Sequence, residues 1–131
     1  MHSFPIASED WVGIIDDDES VRLSLARLFR VLEIRAETFA SADEFLGQTL
    51  GSPSCLVVDV QLGAGTGLAL SDQLAARRLA VPPIVFMTAR EDLATLQFVE
   101  RHGAHGWLRK PLRLDALLAL VRPHLRNSVE R

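Results

Sequence analysis

The sequence predicts an α/β domain, a doubly wound five-stranded parallel sheet flanked by five helices. Three observations carry that prediction. Short apolar, β-branched runs without polar alternation recur along the chain, as strands buried on both faces do. Between them lie segments whose apolar residues fall at helical period. The two patterns alternate from end to end, and that order implies parallel strands joined by right-handed helical crossovers.

Size and composition set the frame. The chain has 131 residues, 48% of them hydrophobic and 24% charged, which predicts one globular domain with its own core. Fourteen Lys and Arg against seventeen Asp and Glu leave a net charge of -3, which argues against direct nucleic-acid binding by this chain. The only cysteine, Cys55, falls inside a predicted buried strand, so no disulfide forms within the chain. No stretch is long and apolar enough to span a membrane and Met1–Asp10 lacks a signal-peptide pattern, so a cytoplasmic location is expected. Residues 1–10 read as a flexible arm, 11–126 as the domain and 127–131 as a tail.

Taken in order, Trp11-Val12-Gly13-Ile14-Ile15 is the first strand, and it exits into Asp16-Asp17-Asp18-Glu19-Ser20. From Val21 the period changes: Val21, Leu25, Leu28, Phe29 and Leu32 share one helix face, with Arg22, Arg27 and Arg30 elsewhere. Arg35–Phe39 is an edge-strand candidate. Ser41 and Glu44 have capping-box spacing, which predicts a helix from there until Gly51-Ser52-Pro53. Ser54–Val60 is the central strand, ending in one ionisable carboxylate, Asp59. The Gly-rich stretch Gly63–Gly67 follows, then a helix from Leu68 to about Arg78 with Leu70, Leu74 and Ala75 as its contacts. Ile84–Thr88 is the fourth strand, and Glu91–His102 a weaker helix with Leu93, Leu96, Phe98 and Val99 as its apolar content. Gly106–Arg109 is a short fifth strand, Lys110-Pro111 a turn, and Leu114, Leu117, Leu118, Val121 and Leu125 stripe the last helix.

In such a sheet the carboxyl ends of all strands face one edge, where ligands collect. Asp16, Asp17, Asp59, Thr88 and Lys110 therefore converge from four strand exits. Carboxylates sharing a small space repel unless a proton or cation intervenes, and an all-oxygen set suits Mg²⁺. A lysine and a hydroxyl beside them are placed to meet a dianionic group at Asp59. The set reads as a phosphoryl-transfer site in which an aspartate is the nucleophile.

These residues resemble the response-regulator receiver domain of two-component signalling, the flavodoxin-like, CheY-like fold. The likeness runs from about Trp11 to about Leu125 and rests on Asp16-Asp17, Asp59, Thr88-Ala89 and Lys110-Pro111 in order, with Gly103-Ala104 ahead of the fifth strand. It implies that Asp59 is the phosphoacceptor and Asp17 a direct Mg²⁺ ligand. Asp16 would then be a ligand acting mainly through water, and the Gln61 carbonyl a further ligand. It also implies that Lys110 pairs with the phosphoryl group, that Thr88 swings toward it, and that Trp107 changes rotamer with Thr88. A cis Lys110–Pro111 peptide, a sensor histidine kinase as donor and a phosphorylation-linked homodimer on the face of the last two helices and fifth strand follow from the same likeness. Gly63, Gly106 and Trp107 depart from the commoner family residues.

Two other readings compete. A haloacid-dehalogenase-like phosphatase also uses an Asp nucleophile, but it wants a second Asp two residues on, where this chain has Gln61. A receiver-shaped module could also bind partners without phosphorylation, against which the acidic pocket argues. No output segment is expected after Leu125, so the chain either acts alone or belongs to a longer regulator, for which a transcriptional role is the natural guess. Gly63–Gly67 lacks dinucleotide-loop spacing, and His102 with His105 lacks a third zinc ligand nearby in sequence.

Overall fold

Strands β1 (Val12–Ile15), β2 (Ala36–Phe39), β3 (Cys55–Asp59), β4 (Gln61–Leu62), β5 (Gly65–Thr66), β6 (Ile84–Thr88) and β7 (Trp107–Arg109) form in chain order. They alternate with helices α1 (Glu19–Val31), α2 (Ala42–Leu46), α3 (Gly67–Ala76), α4 (Leu93–His102) and α5 (Leu114–Val121). The main sheet has the order β2-β1-β3-β6-β7, and every neighbouring pair is parallel. The structure, a computed structural model, describes the backbone of residues 10–62, 65–103 and 105–126, without the side chains of 62–69 and 71. Gly63, Ala104, nine residues of the expected arm and the whole expected tail lie outside the described residues.

The period of two along each strand divides the core into two layers. Val12, Ile14, Cys55, Val57, Val85 and Met87 face one side, where Leu25 and Phe29 of α1 and Leu117 and Val121 of α5 cover them. Ile15, Leu56, Val58, Ile84 and Phe86 face the other, against Phe45 of α2, Leu70 and Leu74 of α3 and Val99 of α4. β3 and β6 are buried at every residue, which is why neither shows polar alternation. Cys55 sits among these apolar groups, and burial pushes its thiol up to about 12.

Several expectations change in detail. Helix α2 is only five residues long and closes at Gly47, well short of Gly51. The Ser41 hydroxyl accepts from the Glu44 N–H at 3.1 Å, while Glu44 reaches back to the Ala40 N–H at 2.9 Å, one residue earlier than a capping box has it. Burial of Phe45 and Leu46, rather than length, holds this turn. Leu93 and Leu114 are 70% and 46% exposed, because each is the first residue of its helix and precedes the turn that meets the sheet. Ala75 is exposed as well, one step of about 100° around the helix from buried Leu74. Leu125 is buried but lies beyond α5, after a 3₁₀ turn at Arg122–His124. Pro123 has no N–H to continue the α-helical ladder, so the winding changes there. The Gly-rich stretch carries the small antiparallel ribbon β4–β5, pairing Gln61 with Thr66 and Leu62 with Gly65.

Gly106, a departure from the commoner family residue, has a backbone reason. Its φ is +108°, and a Cβ there would lie 2.7 Å from Cδ2 of Leu120. Only glycine holds that conformation without strain and leaves α5 room against the start of β7.

Candidate functional site

Each residue of the site stands where a strand stops. Asp16 follows β1, Asp59 ends β3, Thr88 ends β6 and Lys110 follows β7. Strand parity then sorts them. Asp16 continues the face of Val12 and Ile14, and Asp59 that of Cys55 and Val57; Lys110 continues the face of Leu108. All three therefore lean to the side of α1 and α5. Thr88 and Trp107 belong to the opposite face, with Phe86.

The first group forms a tight electrostatic knot. Lys110 Nζ donates to Asp16 Oδ2 at 2.6 Å and to Asp59 Oδ2 at 2.7 Å. Asp16 is fully buried and Asp59 is 6% exposed, so this ammonium neutralises carboxylates that water barely reaches. The second oxygen of each is also held: Asp16 Oδ1 accepts from the Asp18 N–H at 2.9 Å, and Asp59 Oδ1 from the Gln61 N–H at 2.8 Å. Burial pushes the Asp59 carboxyl above its ordinary value, more than the Lys110 and Gln61 hydrogen bonds pull it down. Burial opposes the Lys110 ammonium, but hydrogen bonds to Asp16 and Asp59 and both carboxylate charges outweigh it, so its pKa is raised. The Lys110–Pro111 peptide is cis.

Asp17 is exposed, and its carboxylate approaches those of Asp16 and Asp59, with one oxygen of each within 4.8 Å of the others. Among the described residues no other group of three His, Cys or carboxylate side chains gathers so closely. Three carboxylates opposed by a single ammonium leave a site short of positive charge. The all-oxygen donor set fits a hard divalent cation such as Mg²⁺.

Thr88 is buried beside this knot but takes no part in it. Its hydroxyl accepts from the Arg90 N–H at 3.0 Å and donates to the Arg90 carbonyl at 3.4 Å. Trp107 lies on the same face, opposite Phe86 in the β6–β7 register, half-buried against the α2–α4 layer. The two share one face of the sheet, two register positions apart, and strand parity puts Lys110 on the other face.

Arg22 was not singled out from the sequence, where it falls off the apolar stripe of α1. In the fold its Nη1 donates to the Asp16 carbonyl at 2.7 Å, tying the first turn of α1 to the strand exit. The signal was its place four residues after Asp18, the helix cap, because side chains in a first turn lean back toward the N-terminus. Asp18 accepts from both the N–H and the hydroxyl of Ser20, and the hydroxyl bond, chiefly, holds its pKa down.

A doubly wound sheet with buried carboxylates and a lysine gathered at its carboxyl edge defines a receiver domain as a class. Comparison with known proteins agrees. The chain matches the family described as response regulator receiver domain over residues 12–122. It is 36% identical over 126 residues to nodulation protein W of Bradyrhizobium diazoefficiens, spanning 92% of this chain and 55% of that protein. It is 35% identical over 109 residues to the DNA-binding transcriptional regulator NtrC of Klebsiella pneumoniae, spanning 82% of this chain and 23% of that one. The solved structure of response regulator StyR superposes with a TM-score of 0.76 at 34% identity, over 95% of this chain and 63% of that chain. A response regulator receiver protein from Burkholderia phymatum gives a TM-score of 0.69 at 30% identity, over 87% of this chain and 96% of that one. This chain belongs to the response regulator receiver domain family of two-component systems. It spans about half the length of nodulation protein W and about a quarter of NtrC.

Proposed function

We propose that this domain accepts a phosphoryl group on Asp59 from the phosphohistidine of a sensor histidine kinase and answers by changing its surface. The observation that carries this reading is the Lys110 ammonium shared between buried Asp16 and Asp59, with Asp17 beside them. In the transfer, an Asp59 oxygen forms a bond to phosphorus as the bond from phosphorus to the histidine nitrogen breaks, and the imidazole leaves with the bonding pair. Asp17, Asp59 and the Gln61 carbonyl would hold Mg²⁺ directly and Asp16 through water, with the three carboxylates already gathered at one point. The ion, when bound, offsets negative charge on the phosphoryl oxygens. Lys110 follows its charge preference from the Asp59 carboxylate to the phosphoryl oxygens.

The added charge of about -1.5 to -2 gives Thr88 a stronger acceptor than the Arg90 carbonyl. Turning its hydroxyl toward Asp59 vacates space on the face it shares with Trp107. That is the route by which α4 and β7 report phosphorylation. Carrying such a switch from 1:99 to 99:1 needs about 5.5 kcal/mol of differential stabilisation, shared among the metal, Lys110 and Thr88.

The kinase has a surface to use. A cavity of about 410 Å³ opens between α1 and α5 beside Lys110, lined by Val21, Leu25, Leu28, Pro111, Leu112 and Leu117 among others. An apolar helix seated there would bring a phosphohistidine to Asp59. By analogy with NtrC, a DNA-binding transcriptional regulator, output would come from a DNA-binding segment of a longer regulator. The domain would act in the cytoplasm, with phosphorylated copies pairing across α4, β7 and α5. No described helix is long and apolar enough to cross a membrane.

Incubation with a small acyl phosphate and Mg²⁺, followed by intact mass, tests the proposal. One phosphoryl adduct is expected, dependent on Mg²⁺ and absent in Asp59→Asn. An unchanged wild-type mass, or an adduct that persists in Asp59→Asn, overturns it.

A further inference from the structure

The sequence holds four histidines, and three of them, His102, His105 and His124, meet at the end of the sheet away from the acidic site. His105 lies in the turn before β7 and His124 in the 3₁₀ turn after α5, yet their ring centroids are 5.1 Å apart at an interplanar angle of 84°. His102 packs against Phe98 at a tilt of 44°, with centroids 4.9 Å apart, and shares a cavity of about 430 Å³ with His105 and Asp72.

The 5.1 Å spacing is that of an edge-to-face ring pair, and it is also the spacing at which two imidazoles can share a metal ion. With a metal–nitrogen bond of about 2.0–2.1 Å, an imidazole centroid sits roughly 3.2 Å from the ion. Two imidazoles at a tetrahedral angle then have centroids about 5.2 Å apart. Ring planes turn freely about the metal–nitrogen bond, so 84° is as acceptable as any angle. His105 is exposed, so its ring has room to turn about its own axis and aim a nitrogen at the shared point, giving up only the edge-on contact with His124.

We propose that His105 and His124 form a binding site for a divalent transition-metal ion, with water in the remaining positions. Imidazole pairs select Zn²⁺, Ni²⁺ and Cu²⁺ and leave Mg²⁺ to oxygen donors, so this site and the carboxylate cluster take different ions. Among the described residues no third ligand closes on the pair, which makes it a two-histidine site. A bound ion ties the turn after α5 to the turn before β7.

The test is a titration of Zn²⁺ into the full chain, read by the imidazole C–H resonances and by calorimetry. One site is expected, with the His105 and His124 resonances moving together. His105→Ala and His124→Ala should each weaken binding by about tenfold or more, while His102→Ala and Asp17→Asn retain it. Excess Mg²⁺ should not displace the ion. Unmoved His105 and His124 resonances at a tenfold molar excess of Zn²⁺, binding that survives both alanine variants, or loss of the site in Asp17→Asn overturns the assignment. None of these outcomes depends on whether Asp59 is phosphorylated.

Discussion

Replacing Lys110 with methionine isolates the electrostatics at the centre of this fold. Methionine keeps an apolar stem of similar length and removes only the ammonium. Asp16, fully buried, and Asp59, 6% exposed, then face each other as like charges with one backbone N–H apiece. Removing one partner of a buried ion pair destabilises by about 3–5 kcal/mol, because the charge left behind stays buried. The side chain of Lys110 is 17% exposed, which places the expected loss near the lower end, about 3 kcal/mol. For a domain of this size that is a fall of roughly 10 °C in Tm. The loss should shrink on acidification, because protonating either carboxylate removes the repulsion. Urea unfolding followed by circular dichroism, near neutral pH and at about pH 5 without divalent cations, measures both quantities. A loss under about 1 kcal/mol, or one that is equal at the two pH values, would refute the reasoning.

Other consequences are equally specific. Because the Asp59 pKa is raised, its contribution to stability is present below the unfolded value of about 3.9 and lost as pH climbs through the folded value. Asp59→Asn should therefore be more stable than wild type at neutral pH, with the difference closing as pH falls; equal stability at neutral pH contradicts this. The raised Lys110 pKa has its window at the other end, present below about 10.4 and lost only as pH passes the folded value, so it does not mask the Asp59 effect. Gly106→Ala forces a Cβ onto Leu120 at a φ of +108° and should destabilise by about 2 kcal/mol in thermal melts. Asp92 caps α4 through the Thr95 N–H and hydroxyl, and those bonds hold its pKa down. Hydrogen exchange should show α4 amides losing protection in Asp92→Ala, and in wild type as pH drops below about 4; unchanged protection in the variant would refute the capping role.

Much of the site was legible because its residues share one local property. Asp16, Asp59, Thr88 and Lys110 each sit at the junction where an apolar run ends, and a run can be read without knowing its neighbours. Arg22 escaped notice because its role depends on where the cap of α1 falls. The outward turn of Leu93 and Leu114 escaped for a related reason, since helical period predicts a stripe but not the residue at which the helix meets the sheet. His124 was invisible beside His102 and His105, being joined to His105 only when α5 folds back along β7.

The chain's own residues thus determined the five strands of the main sheet, the five helices and their order, the two-layered burial and the chemical inventory at the strand ends, but not the small β4–β5 ribbon. Those follow from periodicity, which is written over a few residues at a time. Only the tertiary structure decided that Lys110 bonds Asp16 and Asp59, 94 and 51 positions away, and that the Thr88 hydroxyl turns instead to Arg90. Pairings at such separations depend on strand order, register and parity together, and no local stretch of sequence contains all three.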